Sequence, residues 1–221
     1  MEAGLSGSVL TIGRQALFGD NRDYANLLGI SVSRFEEIRA ESQGLCEALL
    51  RHLGAHHVDS LDYSAYEGAT ILHDLNEPVP TSWRERFNVV IDGGSLEHVF
   101  NYPIAFKNCM QMVAPGGKLL IITPSDNQCG HGFYQLSPEL FFRAFSKENG
   151  YNVETAFLRV GAGDSEPEVI GLIDPALDGR RREIRTANPT LLYVAAKRVE
   201  IIDLFQKWPQ QSDYLTTWAG S

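Results

Sequence analysis

One continuous stretch, Phe87 to Pro124, constrains the chain more than any other. Phe87-Asn88-Val89-Val90-Ile91 is an almost uninterrupted apolar run, as a parallel strand covered on both faces requires. A polar loop with Glu97-His98 follows. Pro103 to Val113 then carries Ile104, Ala105, Asn108, Met112 and Val113 on a mixed helix, with Pro103 tolerated at an early position. Pro115-Gly116-Gly117 punctuates the chain, and Lys118 to Thr123 reads as a second buried strand. This order is a βαβ unit. Its first strand delivers a polar loop at the carboxyl end, which is where open α/β sheets bind ligands.

Strand and helix signals alternate on both sides of that unit. Ser8 to Ile12 is a short β-rich run that ends at Gly13, and Arg22 to Leu28 reads as a short helix. Phe35, Ile38, Leu45, Leu49 and Leu53 recur at roughly helical spacing. With Ser31 or Ser33 as cap and Gly54 as stop, they predict one inserted helix over about 31–54. Val58 to Leu61 and Thr70 to Leu72 are short strands ending near Asp62 and Asp74. Pro78 and Pro80 cannot continue a ladder. Ser137-Pro138-Glu139 starts another helix with a capping serine, an early proline and an acid in the first turn, and Asn149-Gly150 closes it. Tyr151 to Val160 and Thr190 to Arg198 are the last strands.

Between those last strands lies a long insert, about 161–189, rich in Gly, Pro and charge. A connection of that length is functional or mobile. The residues after Ile202 read as a short helix and a tail. The alternation implies a doubly wound, mostly parallel sheet, and the final two strands, with no helix between them, imply an antiparallel carboxyl-terminal hairpin. The expectation is a single α/β unit over residues 1–221.

Composition narrows the function classes. The 221 residues are 43% hydrophobic, enough for one α/β core. A net charge of -9 argues against sequence-independent nucleic-acid binding, which needs a basic footprint. Cys46, Cys109 and Cys129 are odd in number and far apart, which suits unpaired thiols in a reduced cytoplasmic protein. The first residues lack signal-peptide order, and no apolar stretch approaches the roughly 18 residues of a membrane span. The expected partner is a small molecule, with neither nucleic acid nor membrane, and homo-oligomerisation is left open.

Three pieces of the central stretch, in order, resemble the class I S-adenosylmethionine (SAM) dependent methyltransferases. Phe87 to Asp92 looks like that family's fourth strand, Ser95-Leu96-Glu97-His98-Val99 like the segment that follows it, and Val113 to Leu120 like its Pro-Gly-Gly turn into the fifth strand. The resemblance implies a seven-stranded, mostly parallel sheet with an antiparallel carboxyl-terminal hairpin, and SAM as cofactor. It places Asp62 on the ribose hydroxyls and Asp74 with Leu75 at the adenine. It also places Gly13 in the first βα turn beside the methionine part, with Asp92 and Gly93 flanking the pocket. A carboxylate suits a vicinal diol because it accepts two hydrogen bonds. Tyr63 and Tyr66, near Asp62, either stack on the adenine edge or pack in core or surface. The first turn, Ile12-Gly13-Arg14-Gln15-Ala16, has one glycine where the family has several.

Methyl transfer from a sulfonium is chiefly a matter of positioning, and a base is needed only where the acceptor carries a proton. His98 and His131 are the candidate bases. For Glu97-His98 the alternative is structural, with Glu97 favouring the helix N-terminus and His98 packed. Gln128 to Gln135 follows the fifth strand and suits either a ligand loop, with Tyr134 as a substrate donor and Glu97 beside it, or an ordinary connection. A metal at Cys129, His131, His98 and Glu97 matches no motif spacing, so no metal site is expected. Arg180-Arg181-Arg182 with Arg185 is either an anion contact or a solvated run balanced by Asp174, Asp178 and Glu183. The leading reading is SAM-dependent methyl transfer to a small-molecule or glycan-precursor acceptor. The rival is the same fold without catalysis, serving as a binding or assembly partner. A lone Gly13 does not make the NAD(P) fingerprint.

Overall fold

A computed structural model describes residues 5–161, 167–177 and 179–219. Among the described residues, eight strands form one sheet: β1 (Gly7–Ile12), β2 (Ala55–Asp62), β3 (Ile71–Leu72), β4 (Phe87–Gly93), β5 (Val113–Asp126), β6 (Tyr151–Val160), β7 (Glu168–Gly171) and β8 (Thr190–Arg198). Their order is β3-β2-β1-β4-β5-β8-β6-β7. The first five run parallel, and β8, β6 and β7 each run antiparallel to the neighbour before them. The sheet is the expected one with an added strand. The eighth, β7, comes from the long insert and pairs with β6, covering part of what would have been an open edge. Residues 162–166 and 178 of the insert lie outside the described residues.

Helices cover both faces. On one, Leu10, Val90, Leu119 and Ile121 pack against Phe106 and Met110 of α4 (Tyr102–Met112) and Phe141 of α5 (Pro138–Ala144). On the other, Val9, Val89 and Ala55 pack against Cys46 and Leu50 beside and within α3 (Glu47–His52). A second apolar layer lies beyond it, where α1 (Asn21–Leu28) and α2 (Val32–Glu41) bury Ala25, Phe35 and Ile38 against Ala48 and Leu49. The alternation of β4 accounts for this double burial, since Val89 and Val90 point to opposite faces and both are covered.

The single helix expected over about 31–54 is two. Ser31 caps α2, its hydroxyl accepting from the Arg34 amide at 3.1 Å. The helix then breaks at Gln43 and Gly44, whose φ angles of 54° and 84° lie in the left-handed region. The chain re-enters helix at α3, where the Ser42 hydroxyl accepts from the Ala48 amide. Spacing at helical period could not show this, because the two helices present their apolar residues to one layer. The helix opened by Ser137 likewise ends at Ala144, before Asn149-Gly150. Asn149 is buried there as a bridge, donating to the Ala144 carbonyl and accepting from the Phe205 amide.

The Pro-Gly-Gly segment loops out at the start of β5. Between Phe87 and Val89 of β4 the partner advances from Val113 to Lys118. Arg198 at the end of β8 closes this corner, donating to the carbonyls of Val113 (2.6 Å) and Gln111 (3.3 Å) just past and within the last turn of α4. The carboxyl-terminal helix α6 is Ser212–Ala219, and no helix among the described residues is long and apolar enough to cross a membrane.

Candidate functional site

The strand order reverses direction at β1, with β2 on one side and β4 on the other. A cleft opens at the carboxyl ends of such strands. Here a cleft of about 440 Å³ takes its walls from the ends of β1 to β4, and Gly13, Asp62, Tyr63, Asp74, Leu75 and His98 all line it. A larger cavity of about 710 Å³ lies between α5, the insert and the segment before α6, and it contains none of the expected site residues. Arg181 borders it and is held by Asp213, Nη2 to Oδ2 at 2.9 Å.

Each wall of the cleft has a local cause. Gly13 stands at φ 69°, and a Cβ there would lie 2.7 Å from the Ser95 hydroxyl oxygen, so the turn needs glycine for backbone and for space. The Gly13 amide donates to the Leu61 carbonyl at 2.7 Å, which ties the first turn to the end of β2. The Ser95 hydroxyl donates to the Ile12 carbonyl at 2.8 Å and ties the loop after β4 to the same turn. Asp62 accepts from the Ser64 amide through one oxygen at 3.2 Å. Asp74 accepts from the Asn76 amide at 2.9 Å and side chain at 2.7 Å, and these bonds hold its carboxyl below the usual range. Asn76 in turn accepts from the Asn101 amide, fastening the Asp74 wall of the cleft to the start of α4.

Arg14 and Gln15 take different courses. Arg14 points out of the cleft, its Nε 2.6 Å from Glu47 of α3 and an Nη donating to the Glu67 carbonyl. Gln15 lies over Gly93 and would collide with any Cβ there, while its amide donates to the Ile12 carbonyl. Gly93 therefore serves the packing of Gln15, and the neighbouring Gly94 lines the cleft in its place.

Asp92 is fully buried and outside the cleft lining. Its Oδ1 accepts from the Ser95 and Leu96 amides at 2.9 and 3.2 Å, shaping the loop that carries Glu97 and His98. Burial pushes its carboxyl up to about 7, with the nearby Glu97 adding to the rise against those two amides. Glu97 is also fully buried, and among the described residues neither of its carboxylate oxygens has a hydrogen-bond partner. His98 and His131 are half-exposed above it, with ring centroids 5.2 Å apart. The Tyr134 hydroxyl donates to the Phe100 carbonyl at 2.6 Å, so this tyrosine braces the loop after β5 against the loop after β4. Tyr66 is almost wholly exposed, and Tyr63 turns a largely exposed ring to the cleft. Sequence reasoning missed Ser95, Gly94 and His73 as lining residues, although each adjoins a residue it singled out.

No protein-family model matches the chain, and no curated protein does. Solved structures of similar fold include a SAM-dependent methyltransferase from Mesorhizobium loti, 14% identical, covering 89% of this chain and 93% of that one at a TM-score of 0.47. Another is the 1,6-didemethyltoxoflavin-N1-methyltransferase of Burkholderia thailandensis, solved with 1,6-didemethyltoxoflavin and S-adenosylhomocysteine, 14% identical over 89% and 73% of the two chains at 0.45. A third is a candidate methyltransferase from Bacillus halodurans, 10% identical over 89% and 93% at 0.48. Likenesses at these levels carry no ligand or residue role over to this chain. The sheet and its crevice define a doubly wound, mostly parallel α/β fold with an antiparallel carboxyl-terminal end, the architecture that the sequence resemblance implies, extended by one strand.

Proposed function

We propose that this chain is a SAM-dependent methyltransferase whose acceptor is a small molecule or a glycan precursor. The observation that carries the reading is the convergence of Gly13, Asp62, Asp74, Leu75 and His98 on one cleft, from segments far apart in sequence. Its volume of about 440 Å³ falls within the range of small-molecule sites, roughly 300–1,000 Å³.

The donor set fits the cofactor. Asp62 uses one oxygen on its own loop, which leaves the other for a ribose diol. Asp74 and Leu75 line the part of the cleft where this reading puts the adenine, and Tyr63 offers an exposed ring for stacking. Gly13 keeps the first turn clear of side chain where the methionine part would approach backbone. When bound, SAM supplies an electrophilic methyl group for in-line displacement. The chain's own contribution is then to align the acceptor and keep water from the path. His98 lines the cleft and is placed to take a proton from the acceptor, with His131 beside it. A small acceptor accords with the net charge of -9, which disfavours a polyanion.

The test is a thermal-shift titration with SAM and S-adenosylhomocysteine. A ligand at about 100 times its Kd stabilises by about 2.7 kcal/mol. The reading expects a clear rise in melting temperature with both, reduced in Asp62→Ala. No shift with either ligand overturns it and leaves the fold to serve as a binding or assembly partner.

A further inference from the structure

We propose that Glu97, His98 and His131 form a binding site for one divalent transition-metal ion, zinc being the ion their donor set suits best. No motif spacing along the chain marks such a site, and the fold assembles it from two loops. Glu97 and His98 are adjacent on the short 3₁₀ turn after β4, and His131 comes from the loop after β5. The site shares His98 with the proposed methyl-transfer cleft, so a bound metal would withdraw that imidazole from proton transfer, but metal binding itself needs no methyl donor and is tested without one.

Glu97 carries the argument. A carboxylate removed from water and given no donor is costly, and such groups are rare in folded proteins. Both Glu97 oxygens are in that condition. Two imidazole nitrogens face one of them: His131 Nε2 lies 3.4 Å from Oε1 and His98 Nε2 lies 3.9 Å from the same oxygen. All three potential ligand atoms fall within 4.8 Å of one another. Ligands about 2.0–2.2 Å from a tetrahedral zinc stand roughly 3.3–3.6 Å apart, so small rotations of the half-exposed histidines complete the set.

The surrounding backbone is built to bring these groups together. Gly132 has φ 69°, and a Cβ there would lie 2.9 Å from both Cγ and the carbonyl oxygen of Glu97. The Phe133 amide donates to that carbonyl at 2.8 Å. Together they press the His131 loop onto Glu97. Two histidines and one carboxylate leave coordination positions open, as in catalytic rather than closed structural sites. His98 also lines the cleft, so the open position adjoins the place where an acceptor oxygen would lie. The competing account is two imidazolium–carboxylate ion pairs with no metal.

The experiment is a calorimetric titration of chelator-treated, full-length protein with zinc chloride, with the bound metal counted after dialysis. The proposal expects one zinc per chain and a rise in melting temperature on loading. Glu97→Gln and His131→Asn should each weaken binding by more than the roughly 10–100-fold that changes beyond the ligand shell cost. His131 is half-exposed, so its variant stays informative if Glu97→Gln fails to fold. Cys129→Ser should bind as the wild type does, which separates this site from one recruited by the exposed thiol nearby. Absence of zinc binding by the wild type overturns the proposal in favour of the ion pairs. Binding that survives His131→Asn, or that is lost with Cys129→Ser, overturns it as well.

Discussion

The amide of His73 donates to the carbonyl of Asp62 at 2.9 Å, so the end of β2 is bonded to the residue just past β3. This bond brings Asp62 and Asp74 to the same cleft, although no helix separates the two strands to set their spacing. The nucleoside half of the proposed site depends on this short parallel pairing.

Asp62→Ala should weaken S-adenosylhomocysteine binding and leave folding nearly untouched. Hydrogen bonds to a charged group contribute about 1.5–3 kcal/mol, which corresponds to roughly 10- to 150-fold in Kd. Calorimetry gives the affinity and urea denaturation the stability. Equal affinity in the two proteins would remove Asp62 from the site.

Gly13→Ala should destabilise the protein and impair binding together. The left-handed backbone alone costs a side chain about 1–2 kcal/mol, and the new Cβ would press on Ser95, whose hydroxyl ties two cleft loops. Made on a Ser95→Ala background, which lacks the hydroxyl and its bond to Ile12, Gly13→Ala should cost only the backbone part. No further loss on that background would show that φ at Gly13 is not strained for alanine.

Asp92 predicts a pH dependence of stability. Its folded pKa, about 7, lies above the unfolded value of about 3.9, so the folded state retains a proton that the unfolded state has released. Its contribution is fully present below about pH 4 and is lost as pH rises towards 7. Asp92→Asn has no such titration and keeps the acceptor for the Ser95 and Leu96 amides. Between pH 5 and pH 8 the difference in stability should shift towards the variant by about 2–3 kcal/mol. Urea midpoints at the two pH values, with chelator present, measure it; a constant difference would place the Asp92 pKa near its ordinary value.

Arg198→Ala should cost about 2–4 kcal/mol, since it leaves the carbonyls of Val113 and Gln111 without their buried cationic donor. Arg198 is 3% exposed, so water cannot readily replace it. A loss below about 0.5 kcal/mol in denaturant titration would mean that the corner relaxes without it.

Much of this architecture is legible in the chain because its causes are local. Apolar runs such as Phe87 to Ile91 state double burial, and Ser31, Ser137 and Pro103 mark helix starts by chemistry confined to one turn. The break at Gln43-Gly44 escaped that reading because both helices satisfy one periodicity. The strand β7 escaped it because a four-residue edge strand needs only a neighbour's free edge, which no local pattern records.

The sequence by itself determined the alternation of strands and helices, the parallel sheet with its antiparallel end, and which loops emerge at the carboxyl edge. Periodicity and turn chemistry act over a few residues and can be read along the chain. Only the tertiary structure decided that Gln15 covers Gly93, that Arg14 turns away to Glu47, and that Glu97 is sealed beneath two histidines from different loops. Those outcomes depend on which side chains reach the same volume once the strands are in register, and distance in space is not encoded in spacing along the chain.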